Sequence, residues 1–461
     1  MLNVKITPHR EFLPADTASQ KMFLMLKLRP SRDVAASRPS TTFTFVIDTS
    51  GSMYEVVAGD VQETGETFMV DGNEYMGVTG GKTKIDIVME SLYALIRSGR
   101  LTASDRVAIV QFDDTASTLI PLTPATQINQ LEQAIGQLRS FSGGTRMALG
   151  MKEAIKLLAT QNMTSRRTLL FTDGQTFDED QCRDLAVQFA SNNIPITALG
   201  VGDYDENLLI HLSDTTGGRC FPVVADENTR DSNAVPITKL PSTIIEEFQN
   251  AQQDVITNLA LSVQMVKGVR LNRIVRAYPD QAEFPLTQAP YPIGNATAND
   301  ETIFILEFEI DSRPASRMRL AQLGLTYEIP GQNRRGELPA TNVVVQFLAG
   351  QMAAQVDPEV MGYVQQCNIT DLVKEATKIA DRNPEQAGEL LEKAKRLTQR
   401  LGNTSMTQSL DSVQDELRKT RKISSDTRKT VKMGAKGKTV KMGEDINDEL
   451  NEAKIREISG T

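Results

Sequence analysis

Between Thr41 and Val224, short apolar runs with hardly a polar break alternate with stretches whose apolar residues recur every three or four positions. TTFTFVID, RVAIVQF, TLLFTD and IPITALGVG are the runs; KIDIVMESLYALIRS, INQLEQAIGQLRS, RMALGMKEAIKLLAT and DEDQCRDLAVQFASN are the stretches. A strand reads as continuously apolar when both its faces are covered, and helices connecting parallel strands supply that cover. The alternation therefore predicts an α/β unit, a doubly wound parallel sheet with helices on both faces. It also predicts where chemistry would sit, because ligands of such sheets meet the loops at the carboxyl ends of the strands. FVIDTSGSM and LLFTDGQT both place their polar residues at that end.

The flanks follow a different period. Residues 2–8 and 22–29, and then roughly 254–348, carry period-two stretches such as VITNLALSVQMV, TIFILEFEI and TNVVVQFL, broken by Pro and Gly. Such alternation marks strands with one covered face. The expectation is an antiparallel β-sandwich built from both flanks, with the α/β unit inserted into it. From Asp357 the pattern turns helical. Ile369, Leu372, Val373, Ala376 and Ile379 share one face, as do Leu390, Leu391, Ala394, Leu397 and Leu401, while Met406, Leu410, Val413 and Leu417 mark a further helix. Asn383–Pro384–Glu385 has the form of a cap and first turn. The expected boundaries are sandwich strands at 1–40, the α/β domain at 41–228, the sandwich at 229–350, a helical region at 357–422 and a flexible basic and acidic tail at 423–461.

A chain of 461 residues exceeds what one core organises, and 40% hydrophobic with 24% charged residues is the composition of a soluble globular protein. The formal charge of −9 argues against a role coating nucleic acid. That charge is uneven, since residues 418–441 hold ten Lys/Arg and one Asp, leaving 40 basic against 58 acidic residues elsewhere. The start, MLNVKITPHREFL, has no basic segment followed by an apolar core, and the apolar run MFLMLKL is too short to span a bilayer. Cys182, Cys220 and Cys367 form no CxxC pair, which suits a reducing compartment; a cytoplasmic location is expected.

Asp48, Ser50 and Ser52 follow a buried strand at two-residue spacing. Turn formers after a strand can simply end it. Two further loops lower the weight of that reading. SFSGGTRMALG presents Thr145 at a helix start behind a Gly-Gly turn, and LLFTDGQT ends a strand at Asp173. Two carboxylates and three hydroxyls thus sit on strand-end or helix-start loops of one unit. Mg²⁺ takes near-octahedral oxygen ligands and keeps several waters until a partner displaces them. Mn²⁺ would satisfy the same oxygens.

Residues 40–225 resemble a von Willebrand factor A domain with a complete metal-ion-dependent adhesion site. All five motif positions are present as Asp48, Ser50, Ser52, Thr145 and Asp173, and DRVAIVQFDDTASTLIPLT and ITALGVGDYDENLLIHLSDTTGGR are similar to the family's middle and closing segments. The resemblance implies a Rossmann-like fold and a Mg²⁺ held by the hydroxyls of Ser50, Ser52 and Thr145. Asp48 and Asp173 would act largely through water and by orienting those hydroxyls. A cation held mainly by neutral oxygens stays electrophilic, so a partner's Glu or Asp would complete its shell.

No catalysis is expected, because an activated serine needs a base in reach and only His9 and His211 exist, one in the flank and one in a helical stretch. Residues 54–80 depart from the resemblance, with six acids and no Lys or Arg after the serine turn. They read either as a surface hairpin or disordered loop, or as a lid whose Glu55, Asp60, Glu63 or Glu66 occupies the open metal position. Asp113–Asp114 read as a solvated strand-end turn.

In the tail, KTVKMG occurs twice, nine residues apart, placing Thr430 and Thr439 each three residues before a methionine. With no apolar face evident, three readings stand: phosphorylation and capture by a phosphothreonine-binding domain of the forkhead-associated type, a tether to nucleic acid or membrane, or a solvated basic tail. The tether is weakened by the absence of stacking aromatics or an amphipathic anchor. The chain as a whole resembles prokaryotic intracellular proteins with a von Willebrand A domain, a wrapping β-sandwich and a helical C-terminal region, which look like companions of Ser/Thr kinase, phosphatase and forkhead-associated modules or of MoxR-type ATPases. That similarity implies a non-enzymatic scaffold gripping a partner carboxylate through Mg²⁺, with the tail as a regulated second contact. The alternative is a substrate-recruiting companion of a MoxR-type or chelatase AAA+ ATPase. The chain's own GAKGKT, at 434–439, lacks the spacing and preceding strand of a phosphate loop.

Overall fold

The structure, a computed structural model, describes residues 2–70, 73–202, 204–224, 234–298, 300–350 and 355–443. The chain divides into two compact units, one of Ser37–Val255 with Pro330–Asn333, the other of Met1–Ala36, Ile256–Ile329 and Arg334–Thr461.

The first unit holds a seven-stranded sheet. Thr41–Asp48 runs parallel between Ser165–Thr172 and Arg106–Phe112. Ile196–Val201, Cys220–Val224 and Val235–Pro236 extend the sheet beyond Ser165–Thr172, and antiparallel Ala116–Pro124 closes the other edge. Every residue of Thr41–Asp48 and Ser165–Thr172 is buried, as continuous apolar runs require. Phe43, Phe45 and Ile47 pack with Leu92, Leu131 and Phe248 from the covering helices, each such burial being worth roughly 1.5–3 kcal/mol. The register sets Asp48 opposite Phe112 and Ile47 opposite Phe171, so Asp48 and Asp173 leave the sheet at one edge.

This unit differs from expectation in its extent. It continues past residue 228, because Leu240–Gln252 is a helix whose Ile244, Phe248 and Ala251 join the same core, with the Phe43 and Phe248 rings 5.7 Å apart. The acidic insertion, read as a surface hairpin or disordered loop or as a lid, forms a hairpin. Val56–Val70 pairs with Asn73–Thr83 in a two-stranded ribbon that shares no strand with another sheet among the described residues. The next helix, Lys84–Arg97, starts at once, with Thr83 and Asp86 forming a capping box.

The second unit is the sandwich with its helices. One sheet orders Leu2–Pro8, Ser19–Pro30, Thr302–Asp311, Val269–Tyr278 and Ala282–Phe284; the other orders Tyr291–Ala296, Ile256–Met265, Ser316–Ile329, Arg334–Leu348 and Phe12–Pro14. Ser19–Pro30 registers along Thr302–Asp311, so strands from before and after the inserted unit complete one sheet. Val4, Ile6 and Leu26 of one sheet and Leu261, Leu323 and Leu325 of the other line a common pocket between the inner faces. Pro358–Ile379 lays Val360, Met361, Tyr363 and Val364 on Phe23, Met25, Val275 and Ile305. Pro384–Arg400 and Thr404–Thr420 follow, each capped by an Asn side chain, Asn383 and Asn403. No helix among the described residues is long and apolar enough to cross a membrane.

The expected flexible tail is corrected over much of its length. Ser425–Gly437 is a fourth helix, capped by Ser424, and Ile423, Val431 and Ala435 bury among Leu410, Val413 and Leu417. Val431 and Ala435 are the helix's own residues in that core and lysines surround them, so periodicity alone does not show it. The first KTVKMG is therefore helical, with the Thr430 hydroxyl donating to the Asp426 carbonyl at 2.9 Å. The second is extended and docked: the Thr439 hydroxyl donates to the Pro279 carbonyl, Val440 N–H to Gln366 Oε1 at 2.8 Å, and Met442 N–H to the Tyr363 hydroxyl at 3.2 Å. Met442 is buried there, and Lys441 pairs with Asp300 at 2.7 Å. The acidic end, 444–461, lies outside the described residues.

Candidate functional site

Three loops converge at the carboxyl edge of the parallel sheet. Leaving Asp48, the chain is pinned by Thr49, whose N–H donates to the Phe112 carbonyl at 2.9 Å and whose hydroxyl lies 2.9 Å from Gln111 Oε1. Ser50 N–H donates to Asp48 Oδ1 at 2.9 Å, and Gly51 N–H to the Gly143 carbonyl at 3.0 Å, which ties the serine turn to the second loop. The Ser50 and Ser52 hydroxyls are 3.2 Å apart, and Ser52 Oγ donates to Asp173 Oδ1 at 2.8 Å. Thr172 Oγ1 donates to Asp48 Oδ2 at 2.7 Å. Asp48, Ser50, Ser52 and Asp173 thus form one bonded set.

Thr145 stands alongside. A Cβ placed on Gly174 would lie 3.8 Å from its hydroxyl, so that hydroxyl faces the backbone just beyond Asp173. Among the described residues no hydrogen bond joins it to the other four. Its carbonyl accepts from Phe177 N–H and from the Thr176 hydroxyl, each at 3.1 Å.

The loop bearing Thr145 is held by residues that the sequence reading treated as a solvated turn. Asp114 Oδ2 accepts from Gly144 N–H at 2.9 Å, and the Asp113 carbonyl accepts from Arg146 N–H at 2.9 Å. Asp113 is itself buried. A Cβ at Gly143 or Gly144 would come within 2.8 or 2.7 Å of the Asp114 carboxylate, so the Gly-Gly pair exists to let that acid approach. Asp178 then accepts from Ala148 N–H at 3.2 Å, at the start of helix Met147–Leu158. Between these supports Phe177 is 76% exposed, its ring against Gly144 at the rim of the site.

The two carboxylates of this set are buried near one another. Asp48 is pushed up to about 7, first by burial and then by the charge of Asp173, against the bonds from Ser50 and Thr172. Two sunken carboxylates and three hydroxyls form an oxygen-only donor set, which suits a hard divalent ion. Among the described residues no three His, Cys, Asp or Glu are grouped for metal binding, so any such ion relies on the hydroxyls. His9 is elsewhere, buried with its Nδ1 accepting from Phe23 N–H.

Sequence reasoning missed Lys84. Its Nζ lies 2.8 Å from Asp173 Oδ2 and 2.6 Å from Glu55 Oε2. Burial works to lower the ammonium pKa, but Asp173 and Glu55 outweigh it and hold Lys84 above its ordinary value. Nothing in the local string TKID marks this role, because the contact depends on where the hairpin returns the chain. The lid residues fare differently from one another. Glu55 reaches the site but pairs with Lys84, whereas Asp60 and Glu66 are exposed on the ribbon and, among the described residues, make no bond to the five. The side chain of Glu63 lies outside the described residues.

Residues 43–234 match the family model described as von Willebrand factor type A domain, and residues 358–441 that of the Sll0103-like, C-terminal alpha-helical domain. Among solved structures, a von Willebrand factor type A protein from Catenulispora acidiphila is similar at TM-score 0.72 and 16% identity, covering 95% of this chain and 97% of that one. The ArnB paralog VWA2 from Sulfolobus acidocaldarius is similar at TM-score 0.61 and 15% identity, covering 96% and 100%. At such identities the likeness concerns the fold alone. No curated protein matches the chain.

Proposed function

We propose that this chain, which carries a von Willebrand factor type A domain at residues 43–234, is a non-enzymatic interaction protein that grips an Asp or Glu of a partner protein through a divalent cation. Asp48, Ser50, Ser52, Thr145 and Asp173 would hold the ion, Mg²⁺ or Mn²⁺. The observation carrying this reading is the Ser52–Asp173 hydrogen bond, which joins loops 121 residues apart beside the Ser50 hydroxyl. The bound ion would supply an electrophilic position for a carboxylate oxygen. Asp48 orients the serine turn by taking Ser50 N–H, and is itself oriented by Thr172. Ser50 and Ser52 contribute neutral oxygens that leave the ion's charge largely uncompensated. Phe177 offers an apolar contact at the rim, so the partner's carboxylate would be flanked by an apolar side chain.

The test is affinity capture on the immobilised chain in Mg²⁺ and in EDTA, with the double substitution S50A/S52A as control. A partner held in Mg²⁺, released by EDTA and not retained by the control supports the reading. Partners that ignore both the metal and the substitution would refute it.

A further inference from the structure

Lys84 occupies an unusual place for a lysine, with its side chain 6% exposed, yet its stem is fixed and its ammonium is shared. Its backbone N–H donates to the Glu55 carbonyl at 3.1 Å, and it begins a helix locked by the Thr83–Asp86 capping box. From that anchor the ammonium touches two carboxylates of different character. Asp173 is fully buried and gives its other oxygen to Ser52, whereas the Glu55 side chain is half exposed to water. Beside the ammonium stands Gly202 at φ +74°, where an added Cβ would come 3.5 Å from Nζ.

We propose that Lys84 is the built-in counter-charge of the candidate metal site, its ammonium neutralising Asp173 when no divalent ion is present and withdrawing to Glu55 when one is bound. The inference rests on the metal reading above and deepens it. Removing one partner from a buried ion pair leaves an uncompensated charge, so a metal-free site with Asp48 and Asp173 alone would be costly. Lys84 relieves that cost and at the same time repels an arriving cation. Glu55, at the foot of the acidic hairpin, gives the displaced ammonium a solvated place to go. The outcome is a site of deliberately modest metal affinity, in which a partner's carboxylate adds the missing attraction. Lys84 is here a positioning residue that acts through Asp173.

Isothermal titration of the full chain with MgCl₂ and with MnCl₂, in wild type, K84M and E55Q, tests this, with melting temperatures taken with and without metal. K84M keeps the stem and loses the charge; it should bind metal at least about tenfold tighter, melt lower without metal and gain more on its addition. E55Q should bind several-fold weaker, because the ammonium is left with Asp173 alone. Equal or weaker binding by K84M, with the wild type binding normally, overturns the Lys84 assignment and leaves the metal reading intact. Absence of binding in all three chains overturns both. If K84M does not fold, E55Q decides: weaker binding sustains the inference, and unchanged or tighter binding overturns it.

Discussion

Phe177 and His9 show how differently two conspicuous side chains can be employed. Phe177 is three-quarters in water beside Gly144, so it contributes little to folding. Aromatic side chains, Phe included, are enriched in protein–protein interfaces relative to the rest of the surface. Phe177→Ala should therefore weaken metal-dependent partner retention several-fold while leaving the melting temperature unchanged; a lowered melting temperature with full retention would assign the ring to the fold instead. His9 is the reverse case, buried, with its Nδ1 accepting from Phe23 N–H and its pKa pushed down to about 3 by burial and by Arg10. The folded chain refuses a proton that the unfolded chain takes up from about pH 6.5 downward. The histidine's contribution is thus full above that pH and is lost as the pH falls toward 3. His9→Asn keeps an acceptor for Phe23 and removes the titration. The stability gap between wild type and variant should narrow by on the order of 2 kcal/mol between pH 7 and about pH 4.5, read from denaturant unfolding at each pH. A gap that stays constant would mean the imidazole titrates freely.

At the scale of elements, the site depends on how closely helix Met147–Leu158 approaches the sheet. A Cβ on Gly150 would lie 2.8 Å from Phe112 Cδ1 and 2.9 Å from Val46 Cγ1. Gly150→Ala should destabilise the α/β unit by about 1–3 kcal/mol through overpacking, more than the roughly 1 kcal/mol by which Ala outranks Gly in a helix. Thermal melting measures it, and a stabilised variant would show that the helix can retreat. The docked second KTVKMG makes a separate prediction. Thr439→Glu replaces a hydroxyl donor at the Pro279 carbonyl with a carboxylate, which cannot donate there and is repelled by that oxygen. The segment should detach, and trypsin should cut at Lys438 and Lys441 faster in the variant. Unchanged digestion would mean that Val440 and Met442 hold the segment without Thr439. Phosphorylation of Thr439 would face the same geometry, so a phosphothreonine reader could meet this residue only after release.

For the whole molecule, the division into two units carries the remaining prediction. Residues 37–255 contain a complete core, from Phe43 and Phe45 to Phe248. Expressed alone they should melt cooperatively and retain metal-dependent binding; an unfolded product would mean that Pro330–Asn333 or the other unit is required. The loop positions of Asp48, Ser50, Ser52, Thr145 and Asp173 were legible because each borders a strongly periodic segment, where residue type and spacing are local properties. The parallel sheet, the sandwich strands drawn from both flanks and the Asn383 cap were legible for the same reason. Lys84, Asp114 and Phe177 were not, since each matters through a neighbour 30 or more residues away: Asp173 for Lys84, and Gly144 for both Asp114 and Phe177. The tail misled for a related reason, because Val431, Ala435 and Met442 are too few to show a period and are buried only by surfaces that other segments supply. Outside the tail, sequence by itself determined which segments are buried on two faces and which on one, as hydrophobic periodicity follows directly from backbone geometry. Only the tertiary structure decided which charge stands beside which carboxylate, because electrostatic partners are selected by distance in space and leave no period along the chain.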